Sequence, residues 1–155
     1  ICKNSKQNLS IIATDISGRV IRVAKKNAKK HAVNINFFYG SLLSPLRSEN
    51  IKINSLLIIT ANLPYLTAKQ FRDEPSIQRE PKIALIADNN GLALYEKLLR
   101  ETKTVFLDKK IILFLEIDPT QSEPIKKIIL PLYPNAQIEI KKDLSGLDRL
   151  VKISL

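Results

Sequence analysis

Two largely apolar runs, residues 55–61 (SLLIITA) and 111–117 (IILFLEI), limit what this chain can fold into more than any other feature. A strand with one face in water alternates apolar and polar side chains. A run that is apolar throughout must be covered on both faces, the condition of a central strand in a parallel sheet layered between helices. Residues 10–15 (SIIATD) and 34–39 (NINFFY) are shorter runs of the same kind, the second closed by Gly40. Between the runs the apolar spacing becomes helical. Ile16, Val20, Val23 and Ala24 are expected on one helix face, with Lys25, Lys26, Lys29 and Lys30 largely elsewhere. Leu94, Tyr95, Leu98 and Leu99 mark the buried side of a helix over 92–101, and Ile125, Ile128, Ile129 and Leu132 that of another before Pro134. Residues 67–73 are expected as a short helix, 83–87 as a brief strand, and 137–141 and 151–155 as strands joined in hairpin fashion by DLSGLDR. Strands alternating with helices and ending in a hairpin predict an α/β fold whose sheet is mostly parallel with one antiparallel strand. No repeat, low-complexity tract or interior domain boundary is visible.

At 155 residues and 45% apolar content, the chain suits one domain with a core. It has no apolar stretch of about 18 residues and no secretory signal pattern, so a cytoplasmic location is expected. With one cysteine, Cys2, and one histidine, His31, no Cys/His metal cluster can form. The four glycines, Gly18, Gly40, Gly91 and Gly146, are too scattered for a G-x-G-x-x-G cofactor loop. A formal charge of +10 favours acidic partners such as RNA or a ribosome-bound complex. Most of the excess, however, is lysine at helix-surface spacing, as in KKNAKKH, which is also the pattern of a solvated face. The chain opens on Ile1, and ICKNSKQ looks like the tail of a helix, so a fragment is expected.

Asn62, Leu63, Pro64 and Tyr65 follow the first of the two long runs and so stand at the carboxyl end of a buried strand, the edge where wound sheets bind ligands. A side-chain amide, a carbonyl in a turn stiffened by Pro64, and an aromatic wall suit a planar amide or amino nitrogen. The lone pair of such a nitrogen is delocalised, so two acceptors, the Asn62 side-chain oxygen and the Leu63 carbonyl, would orient it and offset the charge that develops on it. The alternative for Asn62 is an Asx-turn that ends the strand. Asp15, at the end of its own strand, is open between an acid that binds ribose hydroxyls and an N-cap for the next helix. Glu116 is open between a structural and a functional role.

Taken together, TANLPYLT, EPKIALIADNNGLALYEKLL, LEIDPTQ and KKDLSGLDRLVKI resemble the protein glutamine-N5 methyltransferases of the HemK/PrmC type, which modify peptide chain release factors. The family block E-P-x-x-A-L followed by D-G-L-x-x-Y is filled by Glu80, Pro81, Ala84, Leu85, Gly91, Leu92 and Tyr95. L-E-I-G-x-x-Q is matched by Leu115, Glu116, Ile117 and Gln121, with Asp118 where glycine is usual. K-D-L-x-G-x-D-R is matched by Lys142, Asp143, Leu144, Gly146, Asp148 and Arg149. Leu63 stands where the family commonly reads N-P-P-Y, and N-L-P-Y also resembles the motif of rRNA adenine dimethyltransferases, so a nucleic-acid adenine is the rival substrate.

The resemblance implies a Rossmann-like class I methyltransferase sheet, S-adenosylmethionine as methyl donor, and a release factor with its Gly-Gly-Gln loop as protein substrate. By the same resemblance, Asn62, Leu63, Pro64 and Tyr65 are the catalytic group. Asp15, Ser41 and Asn62 would bind cofactor, with Ser41 near the adenine. Asn62, Pro64, Tyr65 and Glu80 would bind substrate. Family members also carry an N-terminal helical domain and a first strand with a glycine-rich loop, neither of which residues 1–155 contain. The resemblance places that strand between the ones ending at Asp15 and Asn62, so a gap and two unpaired strand edges are expected, with feeble cofactor binding by this chain alone.

Overall fold

The computed structural model describes residues 9–49, 56–107 and 109–155; Cys2 and the helical tail expected at the start of the chain lie outside them. The chain divides into two compact units, Ile1–Lys52 and Ile53–Leu155, where the sequence showed no interior boundary. Backbone pairing follows the same division. One sheet has two strands, β1 (Ile12–Asp15) and β2 (Asn36–Tyr39), and the other has four, in the order β3 (Leu57–Ala61), β4 (Ile111–Glu116), β6 (Asp148–Ser154), β5 (Gln137–Lys142). A sheet is continuous only where neighbouring strands exchange hydrogen bonds, and among the described residues β1 pairs with β2 alone and β3 with β4 alone.

In the first unit β1 and β2 are parallel, in register from Ile12 opposite Asn36 to Asp15 opposite Tyr39, and α1 (Gly18–Lys30) connects them. Ser17 caps α1, its side chain accepting the Val20 N–H at 3.4 Å, and Lys29 and Lys30 oppose the helix dipole at the other end. The expected buried face is only partly realised. Ile21 is the buried residue of α1, whereas Val20 and Val23 are 50% and 56% exposed. Periodicity located a helix but not the strip of it that a two-stranded sheet is wide enough to cover. A 3₁₀ turn, Ser44–Leu46, replaces the irregular loop expected around Pro45 and buries Leu46, with Leu43 buried just before it.

In the second unit β3, β4 and β5 run in one direction and β6 opposes them, the mostly parallel arrangement with one antiparallel strand that the sequence predicted. The core forms from Ile111, Leu113 and Leu115 of β4 with Val151 and Ile153 of β6. Leu98 and Leu99 of α4 (Ala93–Val105) and Ile125 and Ile129 of α5 (Ser122–Leu132) complete it. Two expectations change. Residues 83–87 form no strand: a 3₁₀ turn, Lys82–Ala84, is followed by a single parallel bridge between Leu66 and Ile86. And β3 is not covered on both faces: Ile58 is 55% exposed and Thr60, on the same face, is exposed too. The short helix α2 (Ala68–Asp73), capped by Thr67, and a tight turn with left-handed residues, α3 (Asp88–Gly91), connect β3 to α4. No helix among the described residues is long and apolar enough to cross a membrane.

Candidate active site

The chain leaves β3 through Asn62, Leu63, Pro64 and Tyr65, and most of the polar groups that hold this loop come from far along the sequence. Tyr95, with no exposed surface, brings its hydroxyl 3.3 Å from the Leu63 carbonyl oxygen and closer still to that of Glu116. A phenol has one proton, so the nearer Glu116 carbonyl takes most of it and Leu63 keeps acceptor capacity for another donor. Burial raises the Tyr95 pKa well beyond the usual phenol range, which keeps this group a neutral donor. Gln121, also buried, donates through Nε2 to the carbonyls of Tyr65 at 3.0 Å and Asn90 at 2.8 Å, and its Oε1 accepts the Asp118 N–H at 3.0 Å. Gly91, at φ 80°, lies directly against the same Tyr65 carbonyl; a Cβ there would overlap that oxygen. Asn89 and Asn90 precede it in the left-handed region, which asparagine tolerates better than most residues. Farther along, the Leu66 N–H donates to Leu85 at 2.9 Å and the Ala87 N–H to Leu66 at 3.1 Å.

The downstream blocks are therefore the clamp on this loop. Gly91 and Tyr95 belong to one block and Glu116 and Gln121 to another, and all four touch the loop or a residue bonded to it. Glu116 takes a structural part: its carbonyl receives Tyr95, and Oε1 lies 3.5 Å from the Tyr65 hydroxyl. Burial first, and then the Glu116 charge, raise the Tyr65 pKa, so the aromatic wall is also uncharged. Asp118, in place of the usual glycine, caps the 3₁₀ turn Pro119–Gln121 and accepts from Gln70 Nε2 at 3.2 Å.

Asn62 differs from all of these. It is exposed, and its side chain makes no hydrogen bond among the described residues. The Asx-turn alternative fails for a reason legible in the sequence: such a turn needs an N–H two residues on, and Pro64 has none. An uncommitted amide thus adjoins a carbonyl that is held in place but not saturated. Sequence alone gave Tyr95 and Gln121 no part in holding this loop; the available signal was a phenol hydroxyl on the apolar face of a helix for Tyr95 and an amide just before a helix for Gln121.

Asp15 and Ser41 lie in the Ile1–Lys52 unit. Asp15 Oδ1 accepts the Ser17 N–H at 2.7 Å and the helix cap is Ser17, so Asp15 is not the N-cap, and its second oxygen has no partner among the described residues. Ser41 sits between Gly40 and Leu42, both at positive φ, and its carbonyl accepts both N–H and hydroxyl of Ser44, at 3.0 and 2.7 Å. Glu80 is exposed between two 3₁₀ turns, takes no part in the clamp, and uses only its N–H, to Ile77 at 3.0 Å. A groove of about 470 Å³, lined by Thr67, Gln70, Asn90, Thr120 and Lys127 among others, includes neither Asn62 nor Leu63 and is a separate recess.

No family model matches the chain. It is 40% identical over 151 residues to the release factor glutamine methyltransferase of Staphylococcus aureus, covering 96% of this chain and 53% of that protein. The chain spans about half the length of the curated relatives it matches. Solved structures also resemble the fold. A methyltransferase from Pyrococcus furiosus has TM-score 0.59 at 17% identity, covering 95% of this chain and 62% of that one. The protein-(glutamine-N5) methyltransferase (release factor-specific) from Alicyclobacillus acidocaldarius has TM-score 0.52 at 16% identity, covering 99% and 83%. The likeness is to methyltransferase sheets, and the resemblance carried by four motifs extends over nearly the whole chain.

Proposed function

Starting from its kinship with the release factor glutamine methyltransferases, we propose that this chain holds the acceptor site of an enzyme that methylates the side-chain amide nitrogen of a protein glutamine, in the Gly-Gly-Gln loop of a peptide chain release factor. One observation carries the proposal: Asn62 is uncommitted beside the clamped Leu63 carbonyl. The Asn62 oxygen and the Leu63 carbonyl each accept one N–H of the glutamine amide and fix the direction of its nitrogen. Tyr65, neutral and half-buried, walls the flat group. The proton released on methylation passes to water at the exposed Asn62 side, so no strong base is required.

S-adenosylmethionine, when bound, supplies the electrophilic methyl group. The residues present fit part of it: the free Asp15 oxygen suits a ribose hydroxyl, and Ser41 the neighbourhood of the adenine. The four glycines of this chain build no cradle for it, and we assign the first strand and glycine-rich loop to sequence outside residues 1–155. Cytoplasmic residence goes with a substrate of the translation machinery.

An RNA contact is part of the same proposal. Helix geometry puts Arg19, Arg22, Lys25, Lys26, Lys29 and Lys30 of α1 on an arc of about 140°. All six are exposed, and none is ion-paired among the described residues. A stripe of free cations matches a phosphate backbone near the ribosome.

The deciding experiment is methylation of purified release factor by the full-length enzyme, with mass spectrometry of the Gly-Gly-Gln peptide. Asn62→Ala should lower kcat by about 100-fold or more while cofactor affinity holds. Equal loss of both removes Asn62 from its role. Transfer to adenine in rRNA or DNA and not to glutamine defeats the assignment.

A further inference from the structure

The closing block, KKDLSGLDRLVKI, is not used by the acceptor site, and the structure accounts for all but one of its matched residues. Lys142 Nζ donates to the Gly146 carbonyl at 3.1 Å and pairs with Asp148 at 2.9 Å. Asp143 Oδ1 accepts the N–H groups of Ser145 and Leu147 at 2.9 and 3.0 Å, while the Asp143 N–H donates to Leu147 at 2.8 Å. Gly146 takes φ 80° to close the turn. Asp148 accepts from Ser122 at 2.8 Å, and Arg149 pairs with Asp143 at 3.4 Å and donates to the Ile117 carbonyl at 3.3 Å. Leu144 has no such work. It is 109% exposed, at least as open as in an extended chain, and Leu147 across the turn is 49% exposed.

Single exposed leucines are common on protein surfaces, but two at the tip of one heavily bonded turn are placed apolar groups, one fully and one half exposed among the described residues. Their location gives the occupant. The hairpin roots where β6 opposes β4, with Leu150 opposite Glu116 and the Ile117 N–H bonded to Arg149 at 3.0 Å. Glu116 is the residue that meets Tyr65, so the hairpin rises from the same sheet edge as the acceptor loop. Strand geometry carries Leu147 roughly 10 Å beyond Leu150, outward from that edge. A glutamine side chain held by two acceptors does not extend so far, but a folded protein around it does.

We infer that the 143–147 hairpin tip is a docking element, in which Leu144 and Leu147 seat in an apolar recess of the folded protein that carries the target glutamine. This rests on the proposed function and extends it from the reacting amide to the body of its carrier. The test compares full-length enzyme with Leu144→Ser and Leu147→Ser variants on two acceptors, the intact release factor and a short peptide containing its Gly-Gly-Gln sequence. Both side chains lie largely outside the core, so the melting temperature should hold. KM for the intact factor should rise about tenfold or more in the double variant, with kcat and peptide turnover unchanged. Unchanged KM for the intact factor overturns the inference and leaves the proposed function standing. Equal loss on factor and peptide, or a change in the enzyme's own oligomeric state in place of KM, overturns it as well. A wild-type enzyme that methylates no protein glutamine overturns both.

Discussion

Residues 1–52 carry ten Lys and Arg against two Asp and Glu, a formal charge of +8, and among the described residues bury three large apolar side chains, Ile21, Leu43 and Leu46. Residues 53–155 carry fifteen against thirteen and bury fourteen among those described. The same chain thus spends its apolar residues in one unit and its excess charge in the other. A buried core can fix a loop to within a fraction of an ångström through groups such as Tyr95 and Gln121, whereas α1, with Val20 and Val23 half in water, displays charge on a lightly packed support. Geometry-dependent chemistry belongs with the first kind of structure and long-range attraction with the second.

The contrast is most directly challenged by paired truncations. Leu115→Ala in β4 should cost about 2–5 kcal/mol of stability by chemical denaturation, and Val23→Ala in α1 no more than about 0.5 kcal/mol. Equal costs would mean that α1 is packed as tightly as the sheet. Tyr95→Phe tests the clamp itself. Losing the hydroxyl leaves the Glu116 carbonyl unpaired at a cost of about 1–3 kcal/mol. Turnover per folded molecule should fall about tenfold with little change in KM, because the Leu63 carbonyl is no longer fixed. Ile129→Val, of comparable or smaller stability cost, should leave turnover unchanged, so that a purely structural effect is separated.

Charge reversal probes the other unit. Arg22→Glu, Lys26→Glu and Lys29→Glu together should flatten the salt dependence of RNA binding by about three in log–log slope and leave the melting temperature and peptide methylation unaltered. RNA affinity that ignores these changes would reduce α1 to a solvated face. The smallest effect expected is electrostatic and lies in the second unit. Lys141 and Lys152 hold the Glu139 carboxyl down to about 2. A depressed carboxyl stabilises the fold above its unfolded value, 4.5, and loses that contribution as pH falls from there toward 2. Glu139→Gln should therefore make acid unfolding slightly shallower in that window, and screening by salt should shrink the difference.

Much of this was legible along the chain. The apolar run at 111–117 and the helical spacing of Ile125 and Ile129 gave real core positions, because local periodicity records which side of an element is apolar. Sequence alone left an Asx-turn open at Asn62, although Pro64, which has no N–H, already rules it out without coordinates. Periodicity failed at Val20 and Val23, which match a buried face but stay half exposed, and at 83–87, where a 3₁₀ turn and one bridge stand in place of a strand.

Most element types and the order of four motifs follow from residue identity and spacing, since each depends on neighbours in the chain, and the alternation of strands and helices pointed to a mostly parallel sheet. Tertiary structure alone decided that Gly91, Tyr95 and Gln121 converge on the carbonyls of Leu63 and Tyr65, and that Leu144 stands fully exposed among the described residues. Those outcomes depend on which distant segments close on one another, and a one-dimensional pattern carries the propensity of each segment without the identity of the group it will meet.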